Sequence, residues 1–156
     1  MRRVNVFTPE FTYDERRPAG YRVGFARLGP VIGADRMGAT VYELPAGQST
    51  WPYHYEYGAE EWLLVLGGRP TLRHPGGEDE LEPGDLVCCP NGPEGAHKLT
   101  NRADEAARVM IISTIERPAV AVYPDSDKLG VWPDGDADHL IVRRESGVDY
   151  WDRESP

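Results

Sequence analysis

Two separated stretches of the chain carry histidine and glutamate side chains that could act together on a metal ion or a small molecule. In the first stretch, His54 and Glu56 are two residues apart. Glu61 follows and opens the apolar run Trp62–Leu66. In the second stretch, a loop rich in glycine and proline precedes His97. Side chains two residues apart on a strand project from the same face, so an extended segment here would place His54 beside Glu56.

These residue types have the chemistry of a transition-metal site. Imidazole nitrogens and carboxylate oxygens bind first-row divalent metals, and their burial in a small barrel is costly unless they are paired or coordinated. His54, Glu56 and His97 alone would give the two-histidine, one-carboxylate set of non-haem Fe(II) oxygenases. With Glu61 added, two carboxylates would neutralise a divalent ion and suit Zn, Mn or Fe. The alternative is that both histidines are hydrogen-bonded core or rim residues.

The elements that must position these residues are predicted to be short strands. Apolar runs alternate with turn sequences about every eight to twelve residues, a spacing typical of a sandwich or barrel. No window has a sustained helical period. We expect strands near Thr40–Leu44, Glu61–Leu66, Thr71–Arg73, Asp79–Leu81, Leu86–Cys89, His97–Thr100 and Arg108–Thr114. The fold class is therefore predicted to be all-β.

The length of 156 residues suits a single domain, which we divide into three zones. The strand-rich core spans about residues 39–115. The N-terminal extension, 1–38, has scattered apolar residues that could supply an edge strand or two. The C-terminal tail, 116–156, is more polar, although His139–Arg143 could form one more strand.

Composition argues against several classes of partner. The formal net charge is −9 and the pI is about 4.9, without the clustered Lys and Arg that nucleic acid or an anionic membrane requires. Cys88 and Cys89 are adjacent, so we expect neither a disulfide nor a CxxC metal site, and strand alternation turns one of them inward. Because the N-terminus lacks a signal-peptide pattern and no stretch could span a bilayer, a cytoplasmic location is the expectation.

The two histidine-bearing stretches resemble the paired motifs of the cupin superfamily, over about residues 39–115. The first motif is matched by Gly47, His54, Glu61 and Gly68, and the second by Gly84, Pro90, Gly92, His97 and Asn101. The turn Leu81–Asp85 is also typical of cupins. One position departs from the family pattern, because Glu56 stands where the first motif has its second histidine. The wider chain looks like small single-domain bacterial cupins of largely uncharacterised function.

The resemblance implies a double-stranded β-helix, a jelly-roll-like barrel with one divalent metal ion inside. Carried over by position, the metal ligands are His54, Glu61 and His97, and the metal is Fe, Mn, Zn or Ni. Glu56 is a further ligand, a catalytic base, or the partner of an arginine in the pocket. The motif spacing favours Glu61 over its neighbour Glu60, which we expect to face solvent or to support the site from outside it.

Several other polar and aromatic residues receive structural interpretations. We expect His74, in a Pro/Gly turn, and His139, in the polar tail, to be surface residues. Asn101 either orients a loop or lines the pocket. Five aromatic residues crowd the first motif, and one or two of them could wall a small-molecule site while the rest are core or rim. They are Trp51, Tyr53, Tyr55, Tyr57 and Trp62.

The resemblance further implies a metal-dependent enzyme that acts on a small organic molecule, and we favour an oxidoreductase of the dioxygenase type. Isomerase, lyase and decarboxylase reactions are alternatives, because one barrel hosts many chemistries. A different class is a non-catalytic cupin that binds a sugar-like molecule, since loss of the second histidine would fit decay of a catalytic site. Cupins commonly pair, so a homodimer is expected, with the N-terminal extension or the aromatic pair Tyr150 and Trp151 as candidate contacts.

Overall fold

The computed structural model describes residues 1–134 and 138–155, so positions 135–137 and 156 of the predicted C-terminal tail lie outside the described residues. Within them the chain is almost entirely β-structure, which confirms the all-β prediction. The elements are β1 (Thr12–Tyr13), β2 (Gly24–Arg27), α1 (Gly29–Ile32), β3 (Met37–Leu44), β4 (Tyr55–Tyr57), β5 (Glu61–Gly67), β6 (Thr71–His74), β7 (Gly77–Glu80), β8 (Leu86–Cys89), β9 (Lys98–Thr100), β10 (Ala107–Thr114), β11 (Ala119–Tyr123), β12 (Lys128–Trp132) and β13 (Leu140–Arg143).

The strands form three antiparallel sheets. The largest has the order β1-β2-β3-β10-β5-β8, and the smaller two have the orders β13-β12-β11-β4 and β7-β6-β9. Two isolated bridges join the segment before β4 to β9 and to the residue that precedes β9. They pair His54 with His97 and Ser49 with Thr100. The histidines therefore lie where the two smaller sheets meet.

Alternation along the central strands explains which side chains enter the core. In β5, Leu63 and Val65 are buried, and in β10 the same is true of their cross-strand partners Ile111 and Val109. Trp62, on the opposite face of β5, is 44% exposed. Alternation with a period of two therefore places these apolar side chains on the face of the sheet that covers the main core.

The main core is filled from opposing sheets. Leu63 and Val65 of the large sheet belong to the same buried cluster as Leu72 of β6 and Leu99 of β9. Full burial of each aliphatic side chain contributes roughly 1.5–3 kcal/mol relative to exposure. The cluster consists of Val23, Tyr42, Leu44, Leu63, Val65, Leu72, Leu81, Cys89, Leu99, Val109 and Ile111. This packing fixes the positions, relative to one another, of the strands that carry the candidate site residues.

The N-terminal extension adds the predicted edge strands, β1 and β2, and covers part of the outer face of the large sheet. Val4, Val6 and Phe11 pack there against a second buried cluster that contains Leu28 and Val41. Within the described residues, no helix has the length and apolar character that a membrane crossing would require.

Three strands were absent from the sequence prediction. They are β4, β11 and β12, and two of them lie in the tail that the sequence marked as polar. The predicted tail strand is present as β13, which pairs with β12. Beyond it, Tyr150 and Trp151 are 82% and 72% exposed and contact each other edge to face rather than packing into the core.

Candidate metal centre

The backbone fixes the separation of the two histidines. The amide of His54 donates to the carbonyl of His97 at 3.1 Å, and the amide of His97 donates to the carbonyl of His54 at 2.8 Å. Such a reciprocal pair brings the two Cα atoms close on one pleat. The imidazole rings consequently lie 4.8 Å apart, centroid to centroid, and both side chains are buried.

A second set of hydrogen bonds fixes the tautomer of each ring. Nδ1 of His54 lies 2.9 Å from the carbonyl oxygen of Pro52, and Nδ1 of His97 lies 2.9 Å from that of Gly95. A carbonyl oxygen only accepts, so each Nδ1 carries the proton and donates. Each Nε2 is then left with its lone pair, which is the state in which histidine binds metal.

The carbonyl that orients His97 sits in a turn that only glycine fits. A β-carbon at Gly95 would collide with the backbone carbonyl oxygen of Pro90. The residues Pro93–Gly95 form a single 3-10 turn that ends at Ala96, immediately before His97. The Gly/Pro-rich loop identified in the sequence thus shapes the approach of the chain to the histidine.

Glu61, the first residue of β5, completes the cluster. One of its carboxylate oxygens lies 3.4 Å from Nε2 of His97, and its side chain is 15% exposed. One ligand atom from each of His54, Glu61 and His97 lies within 4.8 Å of the others. The structure therefore brings together the three residues that the motif match singled out.

The donor set fits a divalent cation. Nε2 of His97 and the Glu61 oxygen both offer lone pairs to each other across 3.4 Å when the imidazole is neutral and the carboxyl is ionised. Two facing acceptors with no proton between them repel, and a cation bound by both removes the repulsion. Two imidazole nitrogens and a carboxylate oxygen suit Zn, Fe, Mn or Ni rather than Ca or Mg.

Burial shifts the pKa values of these groups away from their ordinary values. It lowers the pKa of His54 to about 4, with repulsion from His97 as the second cause. It also lowers the pKa of His97, and it raises the pKa of Glu61 to about 7. Desolvation penalises the charged form of each group, which explains the opposite directions for base and acid.

Glu56 lies in β4, opposite Ala121 of β11, and faces the same cavity as His54 and Glu61. It stands outside the group of three whose ligand atoms lie within 4.8 Å of one another. Burial, and then the negative charge of Glu61, raise the pKa of Glu56 to about 7. A carboxyl that titrates near neutrality beside a metal site can exchange protons with a bound molecule.

The cavity above the cluster has a volume of about 470 Å³. Its wall combines aromatic, small and cationic side chains from the first motif, β2 and the C-terminal hairpin. The lining residues are Arg27, Trp51, His54, Glu56, Glu61, Arg117, Ala119, Ala121, Tyr123 and Trp132. Sites for small molecules typically have volumes of roughly 300–1,000 Å³.

Tyr123 is a site residue that the sequence did not reveal. Its ring stacks on the imidazole of His54, with centroids 5.9 Å apart and planes 18° from parallel. Burial, and then the charge of Glu56, raise the pKa of Tyr123, so its hydroxyl stays protonated. The alternation of Ala119, Ala121 and Tyr123 was the available signal, because all three line the cavity from one face of β11.

Other residues singled out in the sequence lie outside the cluster. Glu60 is exposed and accepts a hydrogen bond from the Trp62 indole at 2.9 Å, in agreement with the expectation that it faces solvent. His74 is partly buried and pairs with Asp79 at 3.1 Å. His139 is exposed.

Two buried residues near the motifs have structural roles. Asn101 is fully buried and donates to the carbonyl oxygens of Leu44 and Glu105, each at 2.8 Å, while its own oxygen accepts from Ala103. It therefore orients a loop, one of the two roles considered for it. Cys89 enters the main core and its neighbour in sequence is exposed, as strand alternation predicted.

Comparison with known proteins agrees with this architecture. The family model described as the cupin domain matches residues 40–113, which contain His54, Glu61 and His97. The match covers just under half of the chain and supports a cupin-superfamily protein. No curated protein sequence matches the chain.

Solved structures resemble the chain over most of its length. A sugar phosphate isomerase of the cupin superfamily from Silicibacter pomeroyi superposes with a TM-score of 0.80 at 22% identity, covering 96% of this chain and 98% of the other. A protein from Acidithiobacillus ferrooxidans, assigned provisionally as a sugar phosphate isomerase, gives 0.77 at 25% identity, with 83% and 81% covered. The polyketide cyclase RemF from Streptomyces resistomycificus gives 0.61 at 27% identity, with 76% and 82% covered.

Proposed function

We propose that this chain is a metal-dependent enzyme that rearranges a small organic molecule by proton transfer. His54, Glu61 and His97 hold one divalent metal ion, and Glu56 is the catalytic base. The reaction class is isomerase or lyase, with the substrate in the cavity of about 470 Å³.

One observation carries the proposal. Both imidazoles donate Nδ1–H to a backbone carbonyl, so both Nε2 lone pairs are available beside the Glu61 carboxyl group. A histidine with a purely structural role in a core needs a hydrogen bond at only one ring nitrogen. Without a metal ion, the two Nε2 atoms and the buried Glu61 carboxylate would be three hydrogen-bond acceptors close together. The carbonyl partners also fix the ring orientation, which is how outer contacts tune metal sites.

The chain's own residues supply the remaining chemistry. A bound metal ion would polarise a carbonyl or hydroxyl oxygen of the substrate. The Glu56 carboxylate takes a proton from the adjacent carbon and, as the acid, returns it to the neighbouring position, so protons balance over the cycle. The protonated Tyr123 hydroxyl can donate a hydrogen bond to a substrate oxygen. Trp51 and Trp132 give one side of the cavity an aromatic surface.

Two of the similar structures favour chemistry of this kind. The Acidithiobacillus ferrooxidans protein, assigned provisionally as a sugar phosphate isomerase, is 25% identical, and the cyclase RemF is 27% identical. Isomerisation and cyclisation both rearrange bonds within one substrate. This likeness supports the reaction class but not a particular substrate.

Metal analysis followed by an activity screen tests the proposal. Protein purified without a histidine tag should contain close to one equivalent of Zn, Mn, Fe or Ni. Hydroxy-aldehydes and hydroxy-ketones should then exchange the hydrogen next to the carbonyl with deuterated solvent, and E56Q should slow the exchange about 10²- to 10⁴-fold. Metal-free protein that still binds a sugar-like molecule would instead support the non-catalytic alternative.

A dioxygenase-type oxidation is the second candidate. The observation that favours it is the set of two histidines and one carboxylate, which is also the ligand set of non-haem Fe(II) oxygenases. Native iron together with oxygen consumption in the substrate screen would select this candidate. Native Zn, with exchange but no oxygen uptake, would select proton transfer.

A further inference from the structure

Two arginines face the cavity at its open end. Arg27 is the last residue of β2, and Arg117 lies in the loop that enters β11. Arg27 is exposed and the Arg117 side chain is 47% exposed, whereas the Glu61 side chain is only 15% exposed. The cationic groups are thus at the mouth, and the metal cluster is at the inner end.

In the part of the chain that the structure describes, these two arginines lack the close acidic partners that other arginines have. Arg73, by comparison, donates two hydrogen bonds to the Asp125 carboxylate, the shorter of 2.6 Å. The protein as a whole is acidic, with a formal net charge of −9. Within the described residues, no carboxylate is within ion-pairing distance of Arg27. Among the residues that the structure describes, the ion-pair contact of Arg117 is one of 3.9 Å with Asp134, whose side chain is 99% exposed. An ion pair so exposed contributes little.

The walls next to the arginines are aromatic. Trp51 and Trp132 line the same cavity, and Trp51 is 37% exposed. Flat apolar surfaces beside guanidinium groups suit a compact molecule with one charged end and one apolar face. The acidic lining residues, Glu56 and Glu61, belong to the inner end where a metal ion would offset their charge.

We propose that Arg27 and Arg117 form an anion subsite that holds the phosphate or carboxylate group of the substrate. The other end of the substrate, with its carbonyl or hydroxyl group, then reaches Glu56 and the metal cluster. Guanidinium groups bind both oxyanions through paired, charge-assisted hydrogen bonds. The substrate assignment rests on the proposed function, but binding of an anion at the mouth requires neither metal nor turnover.

The four tryptophans provide a site-specific readout. Indole N–H signals of Trp51 and Trp132, assigned with Trp→Phe variants, should shift in NMR spectra on titration with anions. Those of Trp62, on the outer face of β5, and Trp151, in the tail, should not. The probes are inorganic phosphate, glycerol 3-phosphate and succinate, so phosphate and carboxylate recognition are distinguished.

Charge variants then test the two arginines. R27Q and R117Q should each weaken binding of the preferred anion at least tenfold, and R117K should retain more affinity than R117Q. R69Q removes the same charge from an exposed ion pair with Glu80 and should leave the affinity unchanged. Thermal unfolding of each variant confirms that it is folded. Equal anion affinity in R27Q, R117Q and R69Q, or no shift of Trp51 and Trp132 with any probe, overturns the subsite.

The same titrations separate this inference from the proposed function. They are run on Zn-loaded protein, on protein stripped of metal, and on H97A. If metal content proves to be nil while the arginine-dependent shifts persist, the enzyme proposal fails and the anion subsite stands. If metal binds normally but the arginine variants bind anions like the parent protein, the subsite fails and the metal centre stands.

Discussion

His54 and His97 exchange two backbone hydrogen bonds, and this reciprocal pair sets their imidazole rings 4.8 Å apart. The bridge is isolated from the regular strands, so the ligand pair also joins the two smaller sheets. Because the bonds are made by the backbone, side-chain substitution can remove a ligand without removing the link. That separation makes the metal centre open to mutational tests.

Loss of one imidazole should empty the site. H97A is expected to weaken metal binding more than about 100-fold, because even residues that only orient a ligand contribute 10- to 100-fold. Elemental analysis of the purified variant measures the effect. H74A removes a histidine that pairs with Asp79 outside the cluster and serves as the matched control. Full metal content in H97A would refute the ligand set.

Glu56 should affect reaction rate rather than metal content. E56Q keeps the size of the side chain but cannot accept a proton, so turnover should fall about 10²- to 10⁴-fold. Metal content should stay near one equivalent, because the three clustered ligands are intact. Rate measurements and elemental analysis on the same preparation check both parts. If E56Q loses its metal, Glu56 is a fourth ligand instead of a base.

Metal affinity should increase with pH through neutrality. The pKa of Glu61 is raised to about 7, so below that pH the metal must displace a proton from its ligand. The pKa of His54 is lowered to about 4, so this ligand is already neutral and adds no such dependence. Affinity for Mn²⁺ should rise by up to about tenfold per pH unit for each proton released below about pH 7, and it should level off above that pH.

Calorimetry in buffers of different ionisation enthalpy measures the protons released on Mn²⁺ binding. E56Q provides a control, because it removes the second carboxyl group, whose negative charge interacts with that of Glu61. An affinity that does not change over this pH range, with no proton release, would show that the Glu61 carboxyl is ionised before metal arrives.

Asn101 should be important for stability and not for metal binding. N101A leaves the buried carbonyl of Leu44 and the carbonyl of Glu105 without their donor, at a cost of about 2–3 kcal/mol in the free energy of unfolding. Urea denaturation measures the change. N91A, at an exposed position, should stay within about 0.5 kcal/mol of the parent protein. A loss of metal without loss of stability would assign Asn101 to the site instead.

Much of the barrel core could be predicted because its strands are amphipathic and bounded by strong turn signals. The run that includes Leu63 and Val65 is buried on one face, and its prediction as a strand is confirmed. The short β4 could not be identified, since three residues contain too little alternation to distinguish a strand from a loop. β11 and β12 were missed because polar turns surround them.

The clustered ligands could be identified because two motifs agreed in order and spacing, but the cavity wall could not. Arg117, Tyr123 and Trp132 meet the site only through the pairing of β11 with β4 and β12, a long-range contact that leaves no local pattern. Dioxygenase activity, a homodimer and a cytoplasmic location remain predictions.

The clustered residues and part of the cavity wall come from different segments of the chain, and this has an evolutionary consequence. The clustered ligands fall within residues 40–113, whereas Arg117, Tyr123 and Trp132 come from the hairpin that follows. Selection could therefore remodel what the pocket accepts by altering a late, contiguous segment while the candidate metal centre is inherited intact. Grafting residues 116–132 from a related barrel should be an efficient way to redirect specificity in the laboratory.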